Sequence, residues 1–311
     1  MRIRYRIGVM PGPWPSGPAG RDLFWRFVSL CEQSEIDSLW FSERLSSPLP
    51  VPEPMTAMAA AAAKTTRLKF GPSVLVAPFR MPVLAAREIA MVDYLSNGRM
   101  LPAFGVGAEQ AREFAAAGVP FPERGRRTDE AIRIMRRCWS EDEVTFPGEF
   151  WQLEDAGMEP KPFQKPYPPL WFGGSGPAAL RRAVREGDGF FGAGSSPTVK
   201  FAEQVQVVRR ALEESGRPVA DFPIAKRVYV AIDENAARAR SRTNEALARL
   251  YGHRVESIEA AAVAGPPADC VQQLREVAAA GADLILFTPL FDQAKNAERL
   301  AAEVIPQLAQ D

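Results

Sequence analysis

Short runs of β-branched, leucine and aromatic residues alternate along this chain with longer stretches whose apolar positions recur at intervals of three and four. The first pattern predicts strands and the second amphipathic helices, and their regular succession predicts an α/β fold. Strands are expected over residues 3–10, 37–41, 68–77, 99–106, 169–172, 189–192, 224–232 and 283–288, eight in all. Most of these runs are unbroken, Leu284-Ile285-Leu286-Phe287 being the clearest, which suits parallel strands covered on both faces. Helical faces are marked by Leu23, Phe27, Leu30 and Cys31, by Leu84, Met91 and Leu95 ahead of Gly98, and by Phe201, Val205, Val208 and Leu212 ahead of Gly216. Pro82, Pro177, Pro197 and Pro267 stand where helices begin, a position at which a fixed φ and a missing N–H do no harm. Asn97-Gly98 alone would signal a hairpin, but the helical period before it predicts a helix end.

Eight strands and about as many helices in 311 residues predict a (β/α)8 TIM barrel, one domain over residues 1–311, with the working groups at the C-terminal ends of its strands. A doubly wound open sheet is the structural alternative. One connection exceeds the alternation: residues 109–165 read as an insertion after the fourth strand, either a lid over the strand ends or an elaboration of the surface.

Charge narrows the partners. Thirty-eight basic residues balance thirty-eight acidic ones, so no basic footprint for nucleic acid or anionic lipid is expected. The longest apolar run, Met55 to Ala63, is mostly alanine and too short for a membrane span, which needs about 20 residues. The arginines at 2, 4 and 6 are followed by Pro11, Pro13 and Pro15, which leaves no signal-peptide core. Cys31, Cys138 and Cys270 are odd in number and widely spaced, an arrangement that argues against a disulfide frame or a zinc site and for a reducing, cytoplasmic setting.

The sharpest local motif is Leu170-Trp171-Phe172-Gly173-Gly174-Ser175-Gly176-Pro177, a strand, a glycine-rich turn and a helix start. Backbone N–H groups at such a turn meet the positive end of a helix, a place for phosphate, although tight-turn geometry alone accounts for the glycines equally well. Gly105 and Gly107 end the fourth strand, where missing side chains would let a flat ring approach the backbone or let the rim pack closely. Ionisable residues at strand ends are Glu43 and Arg44, Arg80, and Glu109. Each is a candidate acid, base or anion clamp, or a salt-bridged rim residue. The single histidine, His253, argues against a histidine-rich metal centre and against a Ser-His-Asp triad, so no metal is expected.

Taken together, Asp37-Ser38-Leu39-Trp40-Phe41-Ser42-Glu43-Arg44, Gly71-Pro72-Ser73-Val74, Leu95-Ser96-Asn97-Gly98-Arg99 leading to Gly105-Val106-Gly107, Pro168-Pro169-Leu170-Trp171-Phe172-Gly173-Gly174-Ser175 and Ala279-Ala280-Gly281-Ala282-Asp283 resemble, in content and order, the bacterial luciferase-like monooxygenase family. The resemblance covers the chain from the first strand to about Thr288 and implies a TIM barrel with an insertion after strand four. It also implies a cofactor at the C-terminal face, coenzyme F420 in the branches this sequence looks closest to and FMN in others. By position, Ser73 and Val74 match the strand-three bulge, often a non-proline cis peptide, that supports the cofactor ring. Gly105 and Gly107 match backbone contacts to the ring or its ribityl chain, and Gly174, Ser175 and Gly176 match the phosphate turn.

The chain departs from the pattern at the end of strand two, where many F420-using members carry an Asp-His pair and this one has Glu43 and Arg44. An arginine stays protonated, so Arg44 suits an anionic substrate better than proton transfer. Acid–base work then falls to Glu43 or Glu109. The resemblance implies an oxidoreductase in which deazaflavin moves a hydride to or from a small organic substrate. The alternatives are an FMNH2-dependent monooxygenase served by a separate reductase and a flavin-binding barrel without catalysis. It also implies a homodimer formed through early helices, with the alanine-rich helix at Thr56 to Ala63 able to pack closely.

Overall fold

The computed structural model describes residues 6–10, 17–46, 50–107, 111–252 and 256–308. Its strands are β1 (Arg6–Val9), β2 (Ser38–Phe41), β3 (Lys69–Pro72), β4 (Leu75–Val76), β5 (Ala103–Gly105), β6 (Val144–Pro147), β7 (Gln152–Ala156), β8 (Trp171–Gly174), β9 (Gly189–Gly192), β10 (Ile224–Ile232), β11 (Val263–Gly265) and β12 (Leu284–Pro289). The helices are α1 (Pro18–Gln33), α2 (Pro54–Ala62), α3 (Pro82–Leu95), α4 (Ala111–Ala116), α5 (Arg124–Ser140) and α6 (Pro177–Glu186), followed by α7 (Thr198–Glu214), α8 (Ala236–Tyr251), α9 (Glu256–Glu259), α10 (Pro267–Ala279), α11 (Gln293–Arg299) and α12 (Ile305–Leu308). Among the described residues no helix is long and apolar enough to cross a membrane.

All strands but β6 and β7 belong to one parallel sheet, and that sheet closes on itself. The ring runs β1, β2, β3 with β4, β5, β8, β9, β10, β12 and back to β1. Phe70 completes it by pairing with Met100, donating to Arg99 O at 2.9 Å and accepting from Leu101 N at 2.7 Å. The chain is therefore a TIM barrel, as its periodicity predicts.

The expected third strand, 68–77, is one stave made of two short strands, because the cis peptide Ser73–Val74 interrupts it between β3 and β4. β11 is an addition that the pattern does not announce. It pairs with the C-terminal end of β10, Val230 against Val263, on the edge that β9 leaves free above Lys226.

Side chains alternate along each strand between the barrel interior and the helical shell. Met10, Trp40, Leu101, Trp171, Phe191, Leu284 and Leu286 fill the interior. The large rings fit because their neighbours lack side chains: a Cβ on Gly71 would overlap the Trp40 ring, and one on Gly189 would lie 2.8 Å from Trp171. The shell buries Phe27 and Cys31 of α1 and all four apolar positions predicted for α7.

The face predicted for α3 is the wrong one. Leu84, Met91 and Leu95 are exposed, and the buried side is Ala85, Ala86, Ile89, Ala90 and Val92. Small residues let this helix lie close to the barrel, leaving its bulkier ones outside. After it, Asn97 and Gly98 both adopt positive φ and end the helix, which confirms the helix-end reading.

The long connection between β5 and β8 contains α4, α5 and the β6–β7 hairpin. The hairpin is pinned to α5 by buried Glu130, whose two carboxylate oxygens accept the N–H groups of Glu149, Phe150 and Trp151 at 2.9 Å each. Arg127 of α5 lies over the Phe150 ring. The hairpin thus extends the helical shell along α5, while α4 lies by the strand ends, its Glu113 accepting Ser46 N–H at 3.2 Å.

Candidate active site

The residues matched to cofactor contacts come together. Ser73 and Val74 lie between β3 and β4, Gly105 ends β5 with Gly107 just beyond it, and Gly174 ends β8 with Ser175 and Gly176 just beyond it. The order β4-β5-β8 makes these three neighbouring staves, all at their C-terminal ends.

Val74 forms the floor. Its side chain, partly buried, packs on the interior core. Its two methyls fill spaces left by two glycines: a Cβ on Gly105 would lie 2.6 Å from Val74 Cγ2, and one on Gly173 would lie 2.8 Å from Cγ1. The backbone on both sides of the cis peptide is held from β2. Ser73 N–H donates to Phe41 O at 2.7 Å, and Val76 N–H donates to Glu43 Oε2 at 2.5 Å.

Both carboxylate oxygens of Glu43 are therefore engaged. Oε1 accepts Arg80 Nε at 2.9 Å and Nη2 at 2.6 Å, while Arg80 also reaches Glu53 at 2.7 Å and Glu88 at 2.9 Å. Burial pushes Glu43 above the usual carboxylate range, outweighing the opposing charge of Arg80. The structure places Glu43 and Arg80 as a clamp on the bulge.

Arg44, the next residue, points elsewhere. Its Nη1 lies 3.8 Å from Oε2 of buried Glu113 on α4, whose Oε1 accepts Ser46 N–H at 3.2 Å. Glu113 has no signal in the sequence beyond its place in a short helix. It is buried at the strand ends because Phe114 beside it packs on Phe79 and Phe121. Glu109 and His253 lie outside the described residues.

At the turn after β8, Gly174 has φ of 146° and a Cβ there would overlap Ala179, so only glycine fits. Gly176 caps α6 without a side-chain hydrogen bond, and nothing lies within 4 Å of where its Cβ would stand. The start of α6 thus has no side-chain cap; Pro177 lacks an N–H and Ala179 N–H donates to Gly176 O at 2.9 Å, which leaves the amides of Ser175, Gly176 and Ala178 for an anion to meet. Ser175 is exposed, and its carbonyl accepts Gln204 Nε2 at 3.2 Å; Gln204 also lies 3.4 Å from Ser196 Oγ, so it bridges the turns after β8 and β9.

The opposite side of the mouth is formed by residues hidden within runs that read as plain strand. Arg227 of β10 donates through Nε to Thr288 Oγ1 of β12 at 3.1 Å, and its guanidinium carbon lies 5.1 Å from the Tyr229 ring centre. The hydroxyls of Tyr229 and Tyr251 are 2.6 Å apart. Burial, reinforced by Tyr229, raises the Tyr251 phenol, while the charges of Arg227 and Arg44 act against the rise.

Comparison with known proteins agrees with this architecture. A family model described as luciferase-like monooxygenase matches residues 5–284. An F420-dependent glucose-6-phosphate dehydrogenase of Beutenbergia cavernae is 30% identical over 93% of this chain and 94% of its own length. An FMNH(2)-dependent dimethylsulfone monooxygenase of Pseudomonas putida is 31% identical over 68% of this chain and 60% of its own. Among solved structures, an F420-dependent secondary alcohol dehydrogenase in complex with an F420-acetone adduct superposes with a TM-score of 0.86 at 18% identity, covering 99% of this chain and all of that one. A match across most of the sequence and a shared closed barrel establish the relationship: the chain belongs to the luciferase-like monooxygenase family.

Proposed function

We propose that this protein, an enzyme of the oxidoreductase and monooxygenase class by its family, uses bound coenzyme F420 to transfer a hydride to or from a small organic substrate. The observation that carries this reading is the pairing, on neighbouring staves, of the Val74 floor with the turn at Gly176, which has open space and no side-chain cap. A flat apolar support beside an anion-ready turn suits a tricyclic ring with a phosphorylated tail. The residues present fit such a group, since among the described residues nothing lies within 4 Å of where a Gly176 Cβ would stand and the floor is apolar. F420-dependent relatives aligned over most of their length add support.

When bound, the deazaflavin supplies a carbon that accepts or releases hydride. Ser73 and Val74 would hold the ring, Gly105 and Gly107 would leave its edge unobstructed, and Gly174, Ser175 and Gly176 would take the phosphate. Glu43 and Arg80 keep the bulge in place. Arg44 would orient substrate, and proton transfer would fall to Glu109, with Glu113 the second candidate. Glu109→Gln should lower turnover by about 10²-fold or more, the usual contribution of a placed acid or base; unchanged turnover refutes that assignment.

Titration of the purified protein with F420 and with FMN, oxidised and reduced, followed by fluorescence, tests the cofactor. F420 should bind and FMN should compete poorly. Tight FMN binding without F420 affinity would favour the FMNH2-dependent monooxygenase reading, with its separate reductase. We also propose a cytoplasmic homodimer. Ala57, Ala61 and Ala62 of α2 are buried within the chain itself, so the exposed stripe of Leu84, Met91 and Leu95 on α3, extended by Met81, is the better pairing face. Leu84→Glu with Met91→Glu should convert the dimer to a monomer in light scattering.

A further inference from the structure

The half of the mouth opposite the bulge carries an unmatched positive charge. Ala225 belongs to the barrel interior and Arg227 follows it on the same face of β10, so its guanidinium lies inside the barrel, one layer nearer the mouth. On β12, Leu286 pairs with Arg227, and Thr288 follows on the same face, paired with Tyr229. Among the described residues no carboxylate lies within 4 Å of Arg227, and its one side-chain hydrogen bond, through Nε to Thr288, leaves the Nη groups available. Arg44 comes from β2, on the other side of β1, and is only loosely matched by Glu113 at 3.8 Å. The Tyr251 hydroxyl meets that of Tyr229, whose ring lies 5.1 Å from the Arg227 guanidinium, and the charges of both arginines oppose the rise of the Tyr251 phenol. Among the described residues Glu113 is the one carboxylate within 4 Å of either guanidinium, and the paired Tyr229 and Tyr251 hydroxyls stand on the Arg227 side.

We infer that this cluster is the substrate subsite and that the substrate carries a carboxylate, held by the Nη pair of Arg227 with Arg44 and the tyrosine pair closing around it. A guanidinium fork matches a planar carboxylate in two parallel hydrogen bonds, and a half-buried arginine without a counter-ion gains most from such a guest. This assignment rests on the proposed cofactor position, because β10 stands opposite the β3–β4 stave that carries the bulge and β12 stands opposite β5, with β2 beside the bulge.

The test needs neither cofactor nor turnover. Acetate, benzoate and 4-phenylbutyrate, each paired with its neutral primary amide, are titrated into the cofactor-free protein by calorimetry. At least one carboxylate should bind about tenfold or more tighter than its amide, and Arg227→Met should abolish that preference while leaving the amide's affinity unchanged. Arg227→Lys keeps the charge without the fork and should retain part of the preference, which guards against a Met variant that folds poorly. Equal binding of every acid and its amide, or a preference that survives both substitutions, overturns the assignment. So does an Arg227→Met protein that loses affinity for F420 but not for the carboxylates, since the arginine would then serve the cofactor. Failure of F420 to bind a wild-type protein that still prefers carboxylates would defeat the cofactor reading alone.

Discussion

Gly105→Ala isolates the floor of the site. Its backbone φ lies outside the left-handed region, so an alanine there changes only the space. The added Cβ would stand 2.6 Å from Val74 Cγ2, about 1 Å short of a relaxed carbon–carbon contact. Valine has few ways to yield. It is stiff at χ1, and its other methyl already occupies the space over Gly173. The strain should follow the usual range for overpacking, about 1–3 kcal/mol, and should push Val74 toward the ring position. Cofactor affinity should therefore fall by about tenfold for each 1.4 kcal/mol that reaches the bound state.

Urea denaturation and fluorescence titration with F420 measure the two parts. The companion is Val74→Ala, which loses packing on its own but removes the methyl that the new Cβ meets. In the double variant the penalties should be less than additive by about 1–3 kcal/mol, the coupling expected of touching side chains. Strictly additive penalties would refute the nested packing of Val74 over Gly105.

Other substitutions probe other parts of the site. Gly176→Trp has room to fit, so it should weaken F420 binding while leaving thermal stability unchanged; unaltered affinity removes the phosphate turn from the site. Glu43→Gln keeps an acceptor for Val76 N–H but loses its charge beside Arg80, and should destabilise by about 1–3 kcal/mol in urea; full stability would show the clamp to be idle. Burial lowers the Lys226 ammonium, with Arg227 contributing, from 10.5 to about 7. The unfolded chain then holds more protons at this site than the folded one between about pH 7 and 10.5, so stability should rise with pH across that window. Lys226→Met should flatten the rise in urea melts, and an unchanged slope would refute the cause.

The barrel is legible in the sequence because parallel strands covered on both faces leave continuous apolar runs, and all eight predicted runs become staves. β11 is not legible for the same reason: Ala261, Ala262, Val263 and Ala264 read as an extension of alanine-rich helix, and only the free edge of β10 makes a strand of them. The reversed face of α3 shows that bulk does not decide burial when small residues give the closer approach. Of the candidate site, the proposed cofactor half is carried by glycines and turns at strand ends, which stand out locally. The proposed substrate half is carried by Arg227, Tyr229 and Glu113, which sit inside ordinary strand and helix patterns. Their proximity to Arg44 and Tyr251 arises from barrel closure, which no local window contains.

Adjacent positions at the end of β2 answer to different masters. Glu43 is bound into the scaffold through Val76 and Arg80, whereas Arg44 projects toward the mouth with a single loose neighbour. In the proposed reading, exchange at 43 would disturb the seat of the ring itself, but exchange at 44 would retune which molecules are welcomed while leaving that seat intact. A barrel divided in this way could take up new chemistry one residue at a time without rebuilding the scaffold that Glu43 and Arg80 hold.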